Sequence, residues 1–344
     1  MKKIVFTGGG TLGHVMPNIY LMEELKDYKS YYIGSNGIEK ERVKELAEFY
    51  EIPAIKLVRR KFLTNFKIPF VLIGAILKSK KLLKQIKPDV IFSKGGYVSL
   101  PVCIAGRMLN IPIIAHESDY SFGLANKIIL KVCTCMCVNF KNLEKVNIKV
   151  IYTGPIFNST YESKQKDYTN LNIDKTKPTI LIVGGSLGSK KINENIFVIL
   201  KDLLKLFNII HITGKGNNKI KSYDNYNSFE ITNDIVNFYN IADFVIGRSG
   251  AGVTAESYFK NLPMILVPLE NGASRGDQVL NAKYYEKQGV AKVIREQELT
   301  PNKFLKEISD FYKNIEKYKN NYKNRQKING KEKIIELIKN LKPL

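Results

Sequence analysis

The sequence predicts an α/β protein in which two Rossmann-like parallel-sheet domains face each other across a cleft. Short β-branched runs alternate with segments of helical periodicity, a pattern typical of βαβ units with a parallel sheet. The alternation lapses once near the middle of the chain and then resumes with a second strand, glycine-rich turn and helix. A length of 344 residues suits two domains of ordinary size.

The first predicted domain covers residues 1–157, and helices of about three turns separate several of its strands. We interpret the stretch with Cys133, Cys135 and Cys137 as a buried strand in a reducing compartment, because its spacing fits neither a disulfide framework nor a zinc site. The other predicted strands are Ile4–Thr7, Tyr31–Gly34, Ala54–Val58, Val90–Ser93, Ile113–Ala115 and Val150–Tyr152.

The second half begins after a polar segment without periodicity, residues 158–177, which we interpret as a linker. The second predicted domain covers residues 178–325. The tail, residues 326–344, contains a helical pattern that we expect to pack back on the first domain. Strands are predicted in this half at the run "TILIV" after Pro178 and at Ile209–Thr213, Phe244–Ile246 and Met264–Val267.

A formal net charge of +22 indicates an anionic partner, unless the excess of lysine only reflects a compositional bias of the whole proteome. Ten Lys or Arg residues and no acid lie between Lys56 and Lys87, around the apolar run Phe70–Leu77. This pattern fits an amphipathic element on anionic lipid, and it equally fits ordinary core with a solvated lysine rim. A nucleic-acid binder is disfavoured, because no recognition motif with interleaved aromatics appears.

Targeting and membrane-spanning segments are not expected. The apolar run at the N-terminus is too short for a signal peptide, and no segment approaches the ~20 apolar residues of a membrane span. We therefore expect a cytoplasmic protein.

Four glycine-rich or polar loops follow predicted strands, where ligands of parallel sheets bind. The first is Thr7–His14, ahead of a helix with Pro17 expected in its first turn. The second, Gly184–Ser189, offers Ser186 and backbone amides that suit a phosphate.

The third and fourth loops carry side chains suited to a nucleotide sugar. In Gly247–Ser257, Glu256 could accept hydrogen bonds from a ribose diol, although an acid near a helix start is also favoured by the helix dipole. In Ser274–Ala282, Gln278 and Asn281 could bind sugar hydroxyls, or be ordinary polar residues of a helix start.

The spacing of Gly8, Gly10 and Gly13 also matches a dinucleotide fingerprint, G-x-G-x-x-G. Such a site needs an acid at the end of the second strand, about 20 residues on, to hold a ribose. The nearest acid, Glu39, lies beyond a turn and at a helix start, so a nicotinamide-dependent oxidoreductase is disfavoured.

Taken together, six segments resemble the MurG family of cell-wall N-acetylglucosaminyltransferases and occur in family order over nearly the whole chain. They are "TGGGTLGHVMPN", "FSKGGYVSLPV", "IAHESDYSFGLANK", "VGGSLGSKKIN", "RSGAGVTAESYFKNLPMILVPL" and "SRGDQVLNAKYYEKQG". The resemblance implies a GT-B fold and inverting transfer of GlcNAc from UDP-GlcNAc to the C4 hydroxyl of MurNAc in undecaprenyl-pyrophosphoryl-MurNAc-pentapeptide (lipid I), which gives lipid II. The alternative is another GT-B enzyme, such as a lipid glycosyltransferase or a UDP-GlcNAc 2-epimerase.

The resemblance also implies which residues bind the substrates. The acceptor is expected against the first domain's loops, including Gly95, Gly96 and Tyr97. The residues implied at the donor are Thr11, Leu12, Gly13 and Asp119 near the sugar, Ser186 at the diphosphate, the backbone near Thr232 at the uracil, Ala251, Gly252, Val253, Thr254, Ala255 and Glu256 along the GlcNAc, phosphates and ribose, and Gln278 at the GlcNAc hydroxyls.

The chain departs from the family pattern at three places. Phe157 stands where many members have an arginine, so a cationic contact to the nucleotide is missing or comes from elsewhere. Ser118 and Asp119 replace the common Gln-Asn, which makes Asp119 less secure as a GlcNAc contact. Leu12 replaces a glycine and stiffens the first loop slightly.

Inverting transfer needs a base for the acceptor hydroxyl and stabilisation of the departing diphosphate. We hypothesise that His14 is the base, since the unperturbed pKa of an imidazole lies near neutrality. The alternative is that His14 only orients substrate, and a carboxylate such as Glu117 or a water chain takes the proton. We interpret His116 and His211 as structural.

Backbone amides at helix N-termini can stabilise the diphosphate, and no D-x-D motif lies in these loops. We therefore expect no metal and no cofactor in the site. The expected partners are UDP-GlcNAc, lipid I, an anionic membrane surface and other cell-wall synthesis proteins. The expected location is peripheral, on the cytoplasmic face of the cell membrane.

Overall fold

The structure is a computed structural model that describes residues 1–54, 68–185, 188–219, 223–270, 275–323 and 325–341. The chain divides into two compact units. The first comprises Met1–Asn158 and Ile328–Leu344, and the second comprises Ser159–Lys327. Each unit has its own parallel sheet, so the predicted class of two parallel-sheet α/β domains is confirmed.

In the described residues, the sheet of the first unit has seven strands and that of the second has six. Their orders are β3-β2-β1-β4-β5-β6-β7 and β10-β9-β8-β11-β12-β13, the arrangement of dinucleotide-binding folds. The strands are β1 (Lys2–Thr7), β2 (Tyr28–Gly34), β3 (Glu48–Glu51), β4 (Val90–Ser93), β5 (Ile113–Glu117), β6 (Cys135–Val138), β7 (Val150–Tyr152), β8 (Thr179–Val183), β9 (Asn208–Ile212), β10 (Tyr226–Phe229), β11 (Phe244–Gly247), β12 (Met264–Leu266) and β13 (Ala291–Val293).

Helices connect most of these strands, as parallel pairing requires. The helices of the described residues are α1 (Leu12–Met22), α2 (Ile38–Val43), α3 (Ile68–Ile86), α4 (Ser99–Met108), α5 (Leu124–Val132), α6 (Lys190–Leu204), α7 (Ile235–Ile241), α8 (Ala251–Phe259), α9 (Asp277–Lys287), α10 (Pro301–Lys313), α11 (Ile315–Asn320) and α12 (Lys331–Asn340).

The register of the strands aligns the loops that carry the predicted site residues. In the first sheet Thr7 pairs with Ser93, and Ser93 pairs with Ala115. The glycine-rich loop after β1 therefore shares one edge with the segments that follow β4 and β5. In the second sheet, Val183 pairs with Gly247, which groups the loops after β8 and β11 in the same way.

The C-terminal helix α12 belongs to the first unit. Ile334 and Ile338 are buried in the same apolar cluster as Ile4 and Phe6 of β1. The ammonium group of Lys331 also pairs with Glu24 at 2.5 Å. Burial of an isoleucine contributes about 1.5–3 kcal/mol, so these contacts hold the end of the chain against the first sheet.

The residues predicted as a linker are hydrogen-bonded within the second unit from Ser159 onward. The amide of Asp167 donates to Asn237 Oδ1 at 2.8 Å, and the amide of Asn172 donates to Asn227 Oδ1 at 2.8 Å. Asparagine side chains thus satisfy the backbone of a segment that contains neither a strand nor an α-helix and has one short 3-10 helix, Ser159–Glu162, among its described residues.

Some element positions differ from the prediction. The strand beside β2 is Glu48–Glu51, whose glutamates gave no apolar signal, and the predicted strand Ala54–Val58 lies mostly outside the described residues. Helix α1 begins at Leu12, so Pro17 lies inside it and not in its first turn. The strand predicted around Cys135 is present as β6, and all four cysteines are buried thiols.

Candidate active site

The first loop, between β1 and α1, is shaped by close packing that only glycine allows. A Cβ at Gly8 would lie 2.7 Å from the carbonyl oxygen of His14. Gly10 has φ +81°, and a Cβ there would lie 3.0 Å from the Tyr97 ring. The loop therefore runs tightly over the start of α1, with Tyr97 beside it.

A carboxylate that sequence reasoning set aside lies inside this loop. Glu39 is 0% exposed, and its oxygens accept hydrogen bonds from the amide and hydroxyl of Ser35 and from the amide of Gly10 at 3.3 Å. A Cβ at Gly9 would lie 2.4 Å from Glu39 Oε1. Glu39, the acid nearest to the place where a dinucleotide site holds a ribose, thus binds the protein's own Ser35 and Gly10.

The structure brings His14 together with Thr11 and Gly96. His14 lies in the first turn of α1, and its Nδ1 is 2.9 Å from Thr11 Oγ1. A Cβ at Gly96 would lie 3.8 Å from His14 Nε2, so this edge of the imidazole lies against the loop after β4. If Nδ1–H donates to the Thr11 hydroxyl, the basic lone pair is on Nε2.

Tyr97 lies on the other side of the same loop and is half-buried. Burial, followed by the negative charge of Glu39, raises the pKa of the Tyr97 phenol. The phenol therefore keeps its proton at neutral pH and can donate a hydrogen bond to an oxygen of a ligand.

Glu117 anchors the loop that follows β5. Its two oxygens accept hydrogen bonds from the amide of Asp119 at 3.0 Å, the amide of Gly123 at 2.9 Å and the side chain of Asn126 at 2.9 Å. The residue is buried, whereas Asp119 is half-exposed. Glu117 therefore fixes the shape of the loop, and Asp119 is the carboxylate that the loop presents.

Lys94, directly after β4, is a second residue that sequence reasoning missed. It is 2% exposed, and its ammonium group donates to Ser118 Oγ at 2.5 Å. Burial lowers the pKa of Lys94 to about 8, while Glu117 and Asp119 act in the opposite direction. A lysine between strand and glycines gives no sequence signal of such burial, because the burial depends on which strands are neighbours.

The two other histidines are buried. Burial lowers the pKa of His211 to about 3, and its ring nitrogens are hydrogen-bonded to Tyr226 Oη and Asn193 Oδ1. Burial, and then the charge of Lys94, hold the pKa of His116 well below its usual value. Both side chains are therefore neutral at pH 7.

In the second unit, the loop after β8 leads into α6 through Ser189, whose side chain caps the helix by accepting from the amide of Ile192. Gly188 has φ +73°, and a Cβ there would lie 2.0 Å from the carbonyl oxygen of Thr213. Ser186, predicted at the diphosphate, lies outside the described residues. The first amides of α6 point to the edge where β8 ends.

The loop after β11 leads into α8, whose first residues are the predicted Ala251, Gly252 and Val253. A Cβ at Gly252 would meet no atom within 4 Å, so this start of the helix has room around it. Thr254 and Ala255 are buried on the inner side, and the Thr254 hydroxyl donates to the carbonyl of Gly250.

Glu256, one turn further along α8, accepts a hydrogen bond from the Tyr239 hydroxyl at 2.8 Å. Burial of the carboxyl group raises the pKa of Glu256. Hydrogen bonds from the phenols of Tyr239 and Tyr161 hold this carboxylate in place and act against the effect of burial on its pKa.

The remaining predicted residues of the second unit make mainly backbone contacts. Gln278 Oε1 accepts from the amide of Leu269 at 2.9 Å. Asn281 is fully buried and donates to the carbonyl of Ser249 at 3.0 Å, so its amide ties α9 to the loop after β11. Thr232 Oγ1 accepts from the amide of Asp234 at 2.8 Å.

Phe157, at the place of the missing arginine, is buried in the first unit. Its amide donates to Asn329 Oδ1 at 3.2 Å. In the parts of the chain that the structure describes, no group of three His, Cys, Asp or Glu residues is arranged to hold a metal ion. In the same parts, no helix is long and apolar enough to cross a membrane.

Two parallel sheets with glycine-rich loops at their carboxyl edges are the arrangement found in the GT-B class, and comparisons with known proteins place the chain among the glycosyltransferases of this class. The N-terminal domain of glycosyltransferase family 28 matches residues 4–138, and its C-terminal domain matches residues 179–338. The crystal structure of Acinetobacter baumannii MurG is 24% identical, covers 99% of this chain and 100% of its own, and superposes with a TM-score of 0.78.

Sequence relatives are much closer. A Clostridium perfringens protein named UDP-N-acetylglucosamine–N-acetylmuramyl-(pentapeptide) pyrophosphoryl-undecaprenol N-acetylglucosamine transferase is 43% identical over 348 residues, which cover 98% of both chains. A Bacillus cereus protein of the same name, numbered 2, is 42% identical over 354 residues and 99% of both. The chain belongs to this family of N-acetylglucosamine transferases.

Proposed function

We propose that this protein transfers GlcNAc from UDP-GlcNAc to the C4 hydroxyl of MurNAc in lipid I and so forms lipid II. The observation that carries the proposal is the 43% identity, over 98% of both chains, with a relative named for this transfer. Another GT-B function has only fold similarity in its support. A Staphylococcus aureus MnaA–UDP structure superposes with a TM-score of 0.70 but is 16% identical.

The donor is assigned to the second unit. The first amides of α6 and α8 supply partial positive charge for the diphosphate, with Ser186 in the loop before α6. Glu256 accepts from the ribose diol, Thr232 lies at the uracil, and Gln278 contacts the GlcNAc hydroxyls. The backbone amides of α6 and α8 stabilise the departing UDP without proton transfer, so the proposed reaction requires no metal or cofactor in the site.

The acceptor is assigned to the first unit, at the loops that hold His14, Gly96 and Tyr97. In the reaction, the C4 oxygen of MurNAc attacks the anomeric carbon from the side opposite UDP. The bond to UDP breaks, UDP departs with the electron pair, and a base takes the hydroxyl proton. Nε2 of His14 is the proposed base, with Thr11 fixing the tautomer at Nδ1.

Glu117 is a poorer base than His14. Its two oxygens already accept three hydrogen bonds from the loop that follows β5. Protonating this carboxylate would cost those bonds and loosen the loop. The proposal therefore gives Glu117 a structural role and Asp119 a contact with substrate.

The proposed location is peripheral, on the cytoplasmic face of the membrane that carries the lipid acceptor. Helix α3 supports this, because Phe70, Ile73 and Leu77 are 68%, 57% and 61% exposed. Lys81 and Lys84 are exposed further along the same helix. An apolar stripe followed by cations suits an anionic lipid surface. Other cell-wall synthesis proteins are proposed as further partners.

Acceptor-dependent release of UDP tests the function. Purified protein is mixed with UDP-GlcNAc and a short-chain lipid I analogue, and UDP is measured with and without the analogue. The proposal expects release only when the acceptor is present. Release without acceptor would indicate an epimerase or a hydrolase, and no release in either mixture would contradict the proposal.

A further inference from the structure

Lys94 occupies an unusual place for a lysine. It extends the central strand β4, and its amide donates to the carbonyl of Thr7 at 2.9 Å. A Cβ at Gly8 would lie 3.1 Å from Lys94 Cβ, so the side chain starts directly beneath the first glycine-rich loop. The charged end then reaches Ser118 in the loop after β5. One buried lysine thus links three segments at the carboxyl edge of the first sheet.

The charged end of Lys94 faces an acidic loop. Glu117 and Asp119 both act on the ammonium group electrostatically, and the charge of Lys94 acts in turn on His116. Glu117 closes the loop by accepting from the amides of Asp119 and Gly123. The ammonium group therefore supplies positive charge where the loop concentrates negative charge.

We propose that Lys94 is a positioning residue for the acceptor reaction: its buried ammonium group holds the loop of residues 117–123 in place at the sheet edge to which the acceptor is assigned. This inference depends on the proposed function, because it assigns the acceptor to this edge. Lys94 itself is too buried to touch a substrate, so it acts through Ser118 and the acidic loop.

A contribution to folding stability does not explain why a lysine occupies position 94. Burial lowers the pKa of Lys94 to about 8, below the ordinary lysine value of 10.5. Between these values the unfolded chain binds more protons than the folded chain, so folding stability rises with pH in that window. Below pH 8 the charged lysine thus costs folding free energy relative to a lysine in water. That cost is consistent with a role in the reaction.

The same pKa gives a kinetic signature. Below about pH 8 the amine is charged and balances Glu117 and Asp119. As the pH rises through this value the amine loses its proton, the loop loses its counter-charge, and acceptor turnover falls. An arginine at this position stays charged throughout, because a guanidinium group does not titrate in this range.

The test compares Lys94→Gln and Lys94→Arg with a matched control, Lys331→Gln. Lys331 is also a buried lysine of the first unit with a carboxylate partner, Glu24, but it lies on α12. We expect Lys94→Gln to lower kcat/KM for the lipid I analogue by about ten- to a hundredfold, the size of a misplacement effect, with KM for UDP-GlcNAc unchanged. Lys94→Arg should retain more activity and lose the decline above pH 8.

Hydrogen exchange gives a readout independent of turnover. The amides of Asp119 and Gly123 should exchange faster in Lys94→Gln than in wild type and should be unaffected in Lys331→Gln. If Lys94→Gln does not fold, the inference is tested by the pH profiles alone. Acceptor turnover should then decline above pH 8 in the wild type but not in Lys94→Arg. Acceptor kinetics and pH profiles that match the Lys331→Gln control would overturn the inference. Loss of acceptor-dependent UDP release from the wild type itself would instead overturn the proposed function, and the inference with it.

Discussion

At the residue scale, Glu39 controls the shape of the first glycine-rich loop. Its carboxylate is fully buried and accepts hydrogen bonds from Ser35 and from the amide of Gly10. The close approach of Gly9 leaves no room for another side chain beside it. The loop that carries Thr11 and leads to His14 is therefore fixed from below by one acid.

Replacing this acid should destabilise the first unit. Glu39→Ala removes a fully buried carboxylate that accepts from Ser35 and from the amide of Gly10, and we expect it to lower the free energy of unfolding by roughly 1–3 kcal/mol in total. The loss of unfolding free energy would be measured by urea denaturation, with a signal that reports on the first unit. The control is Glu45→Ala, an exposed glutamate in the same region, which we expect to change stability by no more than about 0.5 kcal/mol. Equal effects from the two variants would contradict the structural role of Glu39.

His14 should matter for chemistry more than for folding. If its Nε2 takes the acceptor proton, His14→Ala lowers kcat by about 10²–10⁴-fold and leaves the KM for UDP-GlcNAc little changed. Thr11→Val removes the hydroxyl that holds Nδ1 and should cause a smaller loss. Steady-state kinetics with the lipid I analogue measure both. Near-wild-type turnover of His14→Ala would exclude the base role.

The sequence pointed to His14 because a histidine beside the last glycine has no use in a dinucleotide site. It gave no reason to choose Glu39 or Lys94. Both become important because β1 lies between β2 and β4, which brings distant segments to one edge. An acid at a helix start and a lysine before two glycines have ordinary explanations in sequence, so only their burial in the fold distinguishes them.

At the element scale, α3 resolves an alternative that the sequence left open. Phe70, Ile73 and Leu77 are exposed, whereas Ala75, Ser79 and Leu83 of the opposite face are buried. The sequence fitted either a membrane contact or ordinary core for this apolar stripe, and the exposure of Phe70, Ile73 and Leu77 excludes ordinary core. Residues 55–67, which contain half of the basic run, lie outside the described residues.

The exposed face of α3 should bind anionic lipid. Phe70→Glu combined with Leu77→Glu should weaken sedimentation with phosphatidylglycerol vesicles, because both changes place negative charge on the apolar stripe. Binding of the wild type should also weaken as salt rises. Val198→Glu is the control, since Val198 is an equally exposed apolar residue on α6. Unchanged vesicle binding by the folded double variant would contradict the membrane contact.

The weakest element predictions concern edge strands. β3 carries glutamates at both ends, and β10 reads "YNSF", so neither has the continuous apolar run of a buried strand. β4 and β8 are buried along their whole length and were found from their apolar runs. A strand that is buried on both faces has a continuous apolar run, which identifies it in the sequence. Edge strands lack such a run.

At the scale of the whole molecule, the fold class followed from the repetition of one pattern. Each half opens with a strand, a glycine-rich turn and a helix, and each half forms a parallel sheet in the same strand order. The particular activity did not follow from that pattern. It came from six ordered segments and from relatives that are 42% and 43% identical over nearly the full length.

The chemical structure of the product shows whether the protein forms lipid II by inverting transfer. After incubation with UDP-GlcNAc and the lipid I analogue, the glycolipid is isolated and its new linkage is determined by NMR. We expect one added GlcNAc, joined from C1 to O4 of MurNAc in the β configuration, because the donor is an α-glycoside and inverting attack reverses its configuration. An α linkage, a different acceptor oxygen or an unmodified acceptor would contradict the proposed function.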